Sequence, residues 1–270
     1  MGPSEYFLLS LLFKAALTSA IIVSASLIVE RGGPFLGAMI ASLPTSVGAA
    51  YVVMAFEHSP DFISKSALGS LTANAAGVTF AAVYALLAAR FSLIVGLGGA
   101  LAVWFVSAFT LRHLDFSVWS AIALNGAVAA LAIWATAKLR AASFPKAAVV
   151  SKAYDIPLRA AAVSAFVIVV TTLSHSIGAF ASGIFAVFPM AMSSFIVILH
   201  NRIGGLATSN VIAHAQIPML GLIPAFLAVY VFSVSLGEWW ALLIALSASL
   251  FWNAALWTWR TQFRARLPME

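Results

Sequence analysis

The sequence predicts an all-α polytopic membrane protein: nine transmembrane helices in a 4+1+4 inverted-topology repeat, N-terminus outside and C-terminus inside. Three observations lead there. The first is composition: 63% of the residues are hydrophobic and 8% charged, against about a quarter charged in soluble domains. The second is pattern: the apolar residues run continuously over helix-spanning lengths, not in the alternating segments of a transmembrane barrel. The third is recurrence, because Pro44 in GPFLGAMIASLPTSVGAAYVVMAF returns 145 positions later as Pro189 in GAFASGIFAVFPMAMSSFIVILHN.

Taken in order, the expected spans are residues 6–29, 34–56, 62–89, 91–111, 116–137, 160–177, 178–199, 206–236 and 239–258. Each is near the roughly 20 apolar residues that cross the hydrocarbon layer, and the longer ones allow tilt. Glu30-Arg31-Gly32-Gly33 closes the first span and Glu57-His58-Ser59-Pro60-Asp61 the second. The third ends at Arg90 and the fourth at Arg112-His113-Leu114-Asp115. The basic stretch 138–159, with Pro145 and Pro157, is the one extended linker. The first cation is Lys14, so no basic region precedes the first apolar run and a cleaved signal peptide is not expected.

The fourteen Lys and Arg residues test this count. With the N-terminus outside, eleven fall on the inner side, and only Lys14, Lys65 and Arg112 fall outside. That is the positive-inside bias of a membrane protein of this parity. The net charge of +6 therefore reads as topology and headgroup contact, not as nucleic-acid binding. With no cysteine in the chain, disulfides and thiolate metal sites are excluded.

The repeat extends beyond proline. At the same offset Lys14 faces Arg159, Ser19 faces Ser164, Gly33 faces Gly178 and Ser64 faces Ser209. In the fourth helix, Trp104 and Trp252 suggest a shift of three. The expected organisation is residues 1–113 as the first four-helix repeat, 114–137 as a linker transmembrane helix and 138–159 as a basic cytoplasmic loop. Residues 160–258 form the second, inverted repeat and 259–270 a basic tail. An odd helix between two copies inverts the second, a plan common among secondary transporters.

FKAALTSAIIV, followed by LGAMIASLPTSVGAAYVV and a polar turn, resembles the small four-helix GlpM-like bacterial membrane proteins. The likeness covers about residues 10–110 closely and 157–255 loosely, where Arg159 replaces the lysine and Pro189-Met190 replaces Pro-Thr. It implies a fused duplication of a four-helix unit and a bacterial inner-membrane location, and it carries no defined activity. Asn74-Ala75-Ala76-Gly77 is similar to the polar Asn-x-x-Gly helix of fused fluoride channels, whose other motifs are missing.

Several residues are candidates for chemistry. A proline in mid-membrane frees a backbone carbonyl, which can bind solute or merely shape packing. The expected substrate-binding set is Pro44, Thr45, Ser46, Asn74, Pro189, Ser193, Asn210 and His214, with Ser194 beside it. Lys14 and Arg159 are expected either to attract an anion or to snorkel. Ser66, Ser70 and Asn74 share a helix face that fits packing or an aqueous path. His214 can carry a proton or simply bond a neighbouring helix. Glu57, His58 and Asp61 read first as a solvated loop and second as a cation site.

No HExxH, GxSxG or phosphate-binding glycine loop occurs, so no enzyme activity, cofactor or resident metal is expected. The expected partners are the lipid bilayer, an unidentified small solute and a second copy of the chain. The expected function is a carrier or exporter, with a channel or a lipid-handling scaffold as alternatives.

Overall fold

The computed structural model describes residues 3–31, 45–142 and 155–266. Among them the regular structure is helical throughout: α1 (Pro3–Arg31), α2 (Thr45–Glu57), α3 (Pro60–Ala88), α4 (Leu93–Leu111), α5 (Val118–Ala135) and α6 (Ala137–Ala141). After residues 143–154 follow α7 (Asp155–Ile177), α8 (Ala179–Ala186), α9 (Met190–Ile203), α10 (Gly205–Met219), α11 (Leu222–Leu236) and α12 (Glu238–Arg266). Seven stretches of the described chain are long and apolar enough to cross a membrane; residues 9–24 and 46–57 form shorter apolar helices.

The surface fits lipid. Ile94 is 84% and Phe251 77% exposed, an apolar exterior that water would not tolerate at this extent. Six exposed tryptophans sit near the ends of apolar stretches: Trp119 and Trp134 on α5, and Trp239, Trp240, Trp257 and Trp259 on α12. Indoles favour membrane–water interfaces because the ring is apolar while its N–H needs a partner.

Local sequence explains where helices stop and restart. Ser59 caps α3 by accepting from Phe62 N, and Pro60 fills the first helical position where no N–H is needed. Ser117 and Ser120 form a reciprocal capping box at the start of α5. In the second half Gly178, Gly204 and Gly237 turn the chain at φ 81°, 80° and 87°, a region costly for residues with a Cβ.

The core is α3, most of which is buried. Ser66 Oγ donates to the Ala179 carbonyl at 2.9 Å and Ser70 Oγ to the Gly183 carbonyl at 2.7 Å, so α3 and α8 run parallel in close contact. Only glycine fits this crossing. A Cβ on Gly69 would lie 2.0 Å from Phe180 O, and one on Gly183 would lie 1.8 Å from Ser66 O. Small residues and hydroxyls at such crossings let backbones approach without a hydrophobic drive.

On another side, α3 runs antiparallel to α10 and α11. Ser64 Oγ bonds Tyr230 O, Gly77 faces Met219, and Ala88 O lies against Gly205. The α5 helix closes on α3 through Asn125, whose Nδ2 donates to the Leu71 and Ala121 carbonyls. Finally, α1 packs on α7, with Ser19 Oγ 2.9 Å from Ser164 Oγ.

The offset of 145 reappears in the helices. Thr45 and Met190, Pro60 and Gly205, and Leu93 and Glu238 are helix starts separated by that number. The buried face of α4, Gly96-Ala100-Trp104-Ala108, is matched by Ala241-Ala245-Ser249-Asn253 of α12 at the same separation. This corrects the shift of three expected in the fourth helix. Trp104 is answered in register by Ser249, while Trp252 packs against Gly221 and donates to Ile217 O at 3.4 Å. The span 206–236, read as one helix, is two, broken at Leu220-Gly221 just after Pro218.

Candidate functional site

The described residues hold two distinct polar regions, the helix break at Pro189 and an ionisable cluster where α2, α3 and α7 meet.

The break is built by proline chemistry. Pro189 has no N–H to bond back along the helix, and α8 and α9 are separated by Val187, Phe188 and Pro189. Pro189 itself sits at φ −77°, ψ 47°, and its carbonyl accepts from Ser193 N at 2.8 Å to restart the helix. Phe188 is packed edge-on against Trp104 at 4.9 Å and tilted against Phe166 at 5.1 Å. Two buried polar atoms on the adjoining residues, Trp104 Nε1 and Ser193 Oγ, have no hydrogen-bond partner among the described residues. Orphaned donors in a low-dielectric interior cost free energy unless something satisfies them. Ser194, beside them, is already bonded to Ala191 O.

The other residues named from sequence fall in different places. Pro44 lies outside the described residues, and Thr45 opens α2. Ser46 is buried on the same helix. Asn74 Nδ2 donates to Asn125 Oδ1 at 2.8 Å, while Asn74 Oδ1 has no partner among the described residues. Asn210 is engaged with the linker, donating to Leu139 O at 2.5 Å and Ala142 O at 3.1 Å. His214 bonds back to the Asn210 carbonyl at 2.9 Å. Ser70 is occupied twice. Because its hydroxyl proton goes to Gly183 O, Tyr51 must donate to Ser70 Oγ at 2.7 Å. The stripe Ser66, Ser70, Asn74 is therefore used in packing.

The ionisable cluster was only half visible from sequence. Lys14 is buried, and its ammonium lies 2.9 Å from Glu57 Oε1. Neither snorkelling nor a free anion-attracting cation describes it, because its charge is committed to a carboxylate. The other oxygen, Glu57 Oε2, is buried with no hydrogen-bond partner among the described residues and lies 3.6 Å from His175 Nε2. That separation is too long for a hydrogen bond.

His58 is held from two sides. Its ring stacks on Phe62 at 3.8 Å, and its Nε2 is 2.6 Å from Ser174 Oγ. Ser174 gives its own proton to Thr171 O at 2.6 Å. His58 Nε2 must therefore be the donor, which leaves Nδ1 as the lone-pair nitrogen of the neutral ring. Burial pushes the His58 imidazole below the ordinary histidine range, and neighbouring His175, 4.5 Å away between ring centroids, pushes the same way. Glu57 opposes that shift and Lys14 adds to it. Asp61, expected beside Glu57 and His58, instead pairs with Lys65 at 2.8 Å on the exposed face of α3.

Arg159, the counterpart of Lys14, has a buried Nε with no partner among the described residues. His175 is the cluster member that the sequence does not single out, because it stands in the last turn of α7 without a recognisable motif around it. The available signal was parity, since an outside N-terminus puts residues 57–58 and 175 on the same membrane face.

Comparison with family models, with curated proteins and with solved structures gives no match. Function must therefore be read from these residues.

Proposed function

We propose that the chain is a secondary carrier or exporter of a small solute in a bacterial inner membrane, built from two inverted copies of a GlpM-like four-helix unit joined by α5. The observation that carries this reading is the broken α8–α9 span, with Ser193 Oγ and Trp104 Nε1 left without a hydrogen-bond partner among the described residues. Breaks of this kind supply the solute site in many inverted-repeat transporters. Its counterpart would be Pro44, which precedes the start of α2 as Pro189 precedes α9.

The contacts between the halves support the inversion. Ser19 meets its own counterpart Ser164, as residues on a two-fold axis do. Lys14 of α1 and His175 of α7 both reach Glu57, so these two helices run antiparallel. Alternating access would exchange the conformations of the two copies around that axis. In this reading Ser193, with Arg159 as an anion-attracting neighbour in the second copy, contacts solute, while Asn74 and Asn210 hold the frame.

Purified protein in liposomes, screened against labelled amino acids, sugars and organic acids, tests this. A carrier shows saturable, gradient-dependent uptake of one class, reduced at least about tenfold by Ser193→Ala, the size expected from losing one good polar contact. Electrogenic flux that never saturates would overturn it in favour of a channel, and no flux of any class would favour a scaffold.

A further inference from the structure

We propose that Glu57, His58 and His175 form a binding site for one divalent transition metal of the zinc type. Each residue offers one ligand atom, and the three atoms lie within 4.8 Å of one another. A tetrahedral ion bound at about 2.0–2.2 Å needs its ligands about 3.3–3.6 Å apart. Closure therefore requires shifts of roughly 1 Å, within the reach of side-chain rotation. His175 is half exposed at the end of α7 and free to supply most of that movement.

The independent sign of a missing ligand is Glu57 Oε2, buried with no hydrogen-bond partner among the described residues while facing an imidazole nitrogen. Its partner oxygen is anchored by Lys14, and the His58 ring is fixed by Ser174 and Phe62. Such outer contacts orient metal ligands before the ion arrives. Two imidazoles and one carboxylate suit zinc and its neighbours, whereas calcium and magnesium would want more oxygen. Three protein ligands leave a fourth position for water.

The ligands come from both halves of the chain, Glu57 and His58 from the α2–α3 turn and His175 from α7. A bound ion would tie these elements together. The inference does not depend on transport, because a carrier, a channel or a scaffold could each hold such an ion.

Isothermal titration of zinc chloride into the full-length protein in detergent at pH 7.5 provides the test, with thermal unfolding as a second readout. We expect one zinc per chain and a raised Tm. His175→Ala and His58→Ala should each weaken binding by at least about tenfold, since even outer-shell losses cost 10–100-fold. His175→Cys should recover affinity, because a thiolate is a good zinc ligand, and His113→Ala should change nothing. His175 is exposed enough that its alanine variant should fold. No saturable zinc binding by the parent protein overturns the proposal. So does unchanged affinity in His175→Ala, which would put the ion elsewhere.

Discussion

Lys14 shows what a single residue can and cannot reveal. Its position, with fifteen uncharged residues between it and Glu30, fits an interfacial lysine as well as a buried one. Its partner Glu57 lies on the next span, in a turn that sequence alone assigns to solvent. Only folding brings the ammonium and carboxylate to 2.9 Å. The pair is largely withdrawn from water, so removing one member strands the other. Lys14→Met should therefore destabilise the protein by about 3 kcal/mol, the lower end for breaking a buried pair. The double variant Lys14→Met/Glu57→Met should recover most of that loss, because no unpaired charge remains. Unfolding of each variant in detergent, followed by circular dichroism, measures both. Equal losses in the single and double variants would show that the pair is not energetically coupled. Asn74 and Asn210 teach the complementary lesson. Polar residues in apolar helices were read as solute contacts, yet their amides bond Asn125 and the linker carbonyls. Sequence marks a residue that needs a partner without saying whether the partner is protein or ligand.

Helices were more legible than their partners. The Pro189 break follows from a missing N–H, a local fact that any reader of the sequence can find. The Gly221 break needed tertiary context, because Pro218 precedes it and the Trp252 indole occupies the space a side chain would take. The α3–α8 crossing also depends on context. Gly69 and Gly183 look like other helical glycines until a Cβ is placed on them. Gly183→Val should cost about 3 kcal/mol or more, at the upper end for overpacking, since the obstacle is the Ser66 carbonyl and not a movable side chain. Gly98→Ala is the matched control: no atom of the described residues lies within 4 Å of the added Cβ, and helical alanine is favoured by about 1 kcal/mol over glycine. Thermal melts should separate the two substitutions in sign. A Gly183→Val protein as stable as its parent would mean that α3 and α8 do not approach as closely as described.

At the scale of the molecule, the offset of 145 residues was the most legible feature because it is periodic, and a period survives ambiguity at individual positions. Helix starts and the buried faces of α4 and α12 keep the offset that Pro44 and Pro189 announce. Periodicity does not orient the copies. Orientation rests on the charge count and on whether the stretches 6–29 and 34–56 each cross the bilayer. The native chain has no cysteine, so single cysteines can be placed against a silent background. Ser59, Ser117 and Ser235 are exposed and fall outside on the proposed topology; Ser92 and Ala142 are exposed and fall inside. In intact cells a membrane-impermeant maleimide should label cysteines at the first three positions. Those at the last two should react only after permeabilisation. The pattern is demanding because losing either early span inverts the expected side of every later position relative to the N-terminus. If Ser59→Cys and Ser92→Cys react on the same side, α3 does not cross and the inverted repeat is wrong. If all five positions exchange sides together, either one of the two early spans does not cross or the N-terminus is inside, and in both cases the Glu57–His58–His175 cluster faces the cytoplasm.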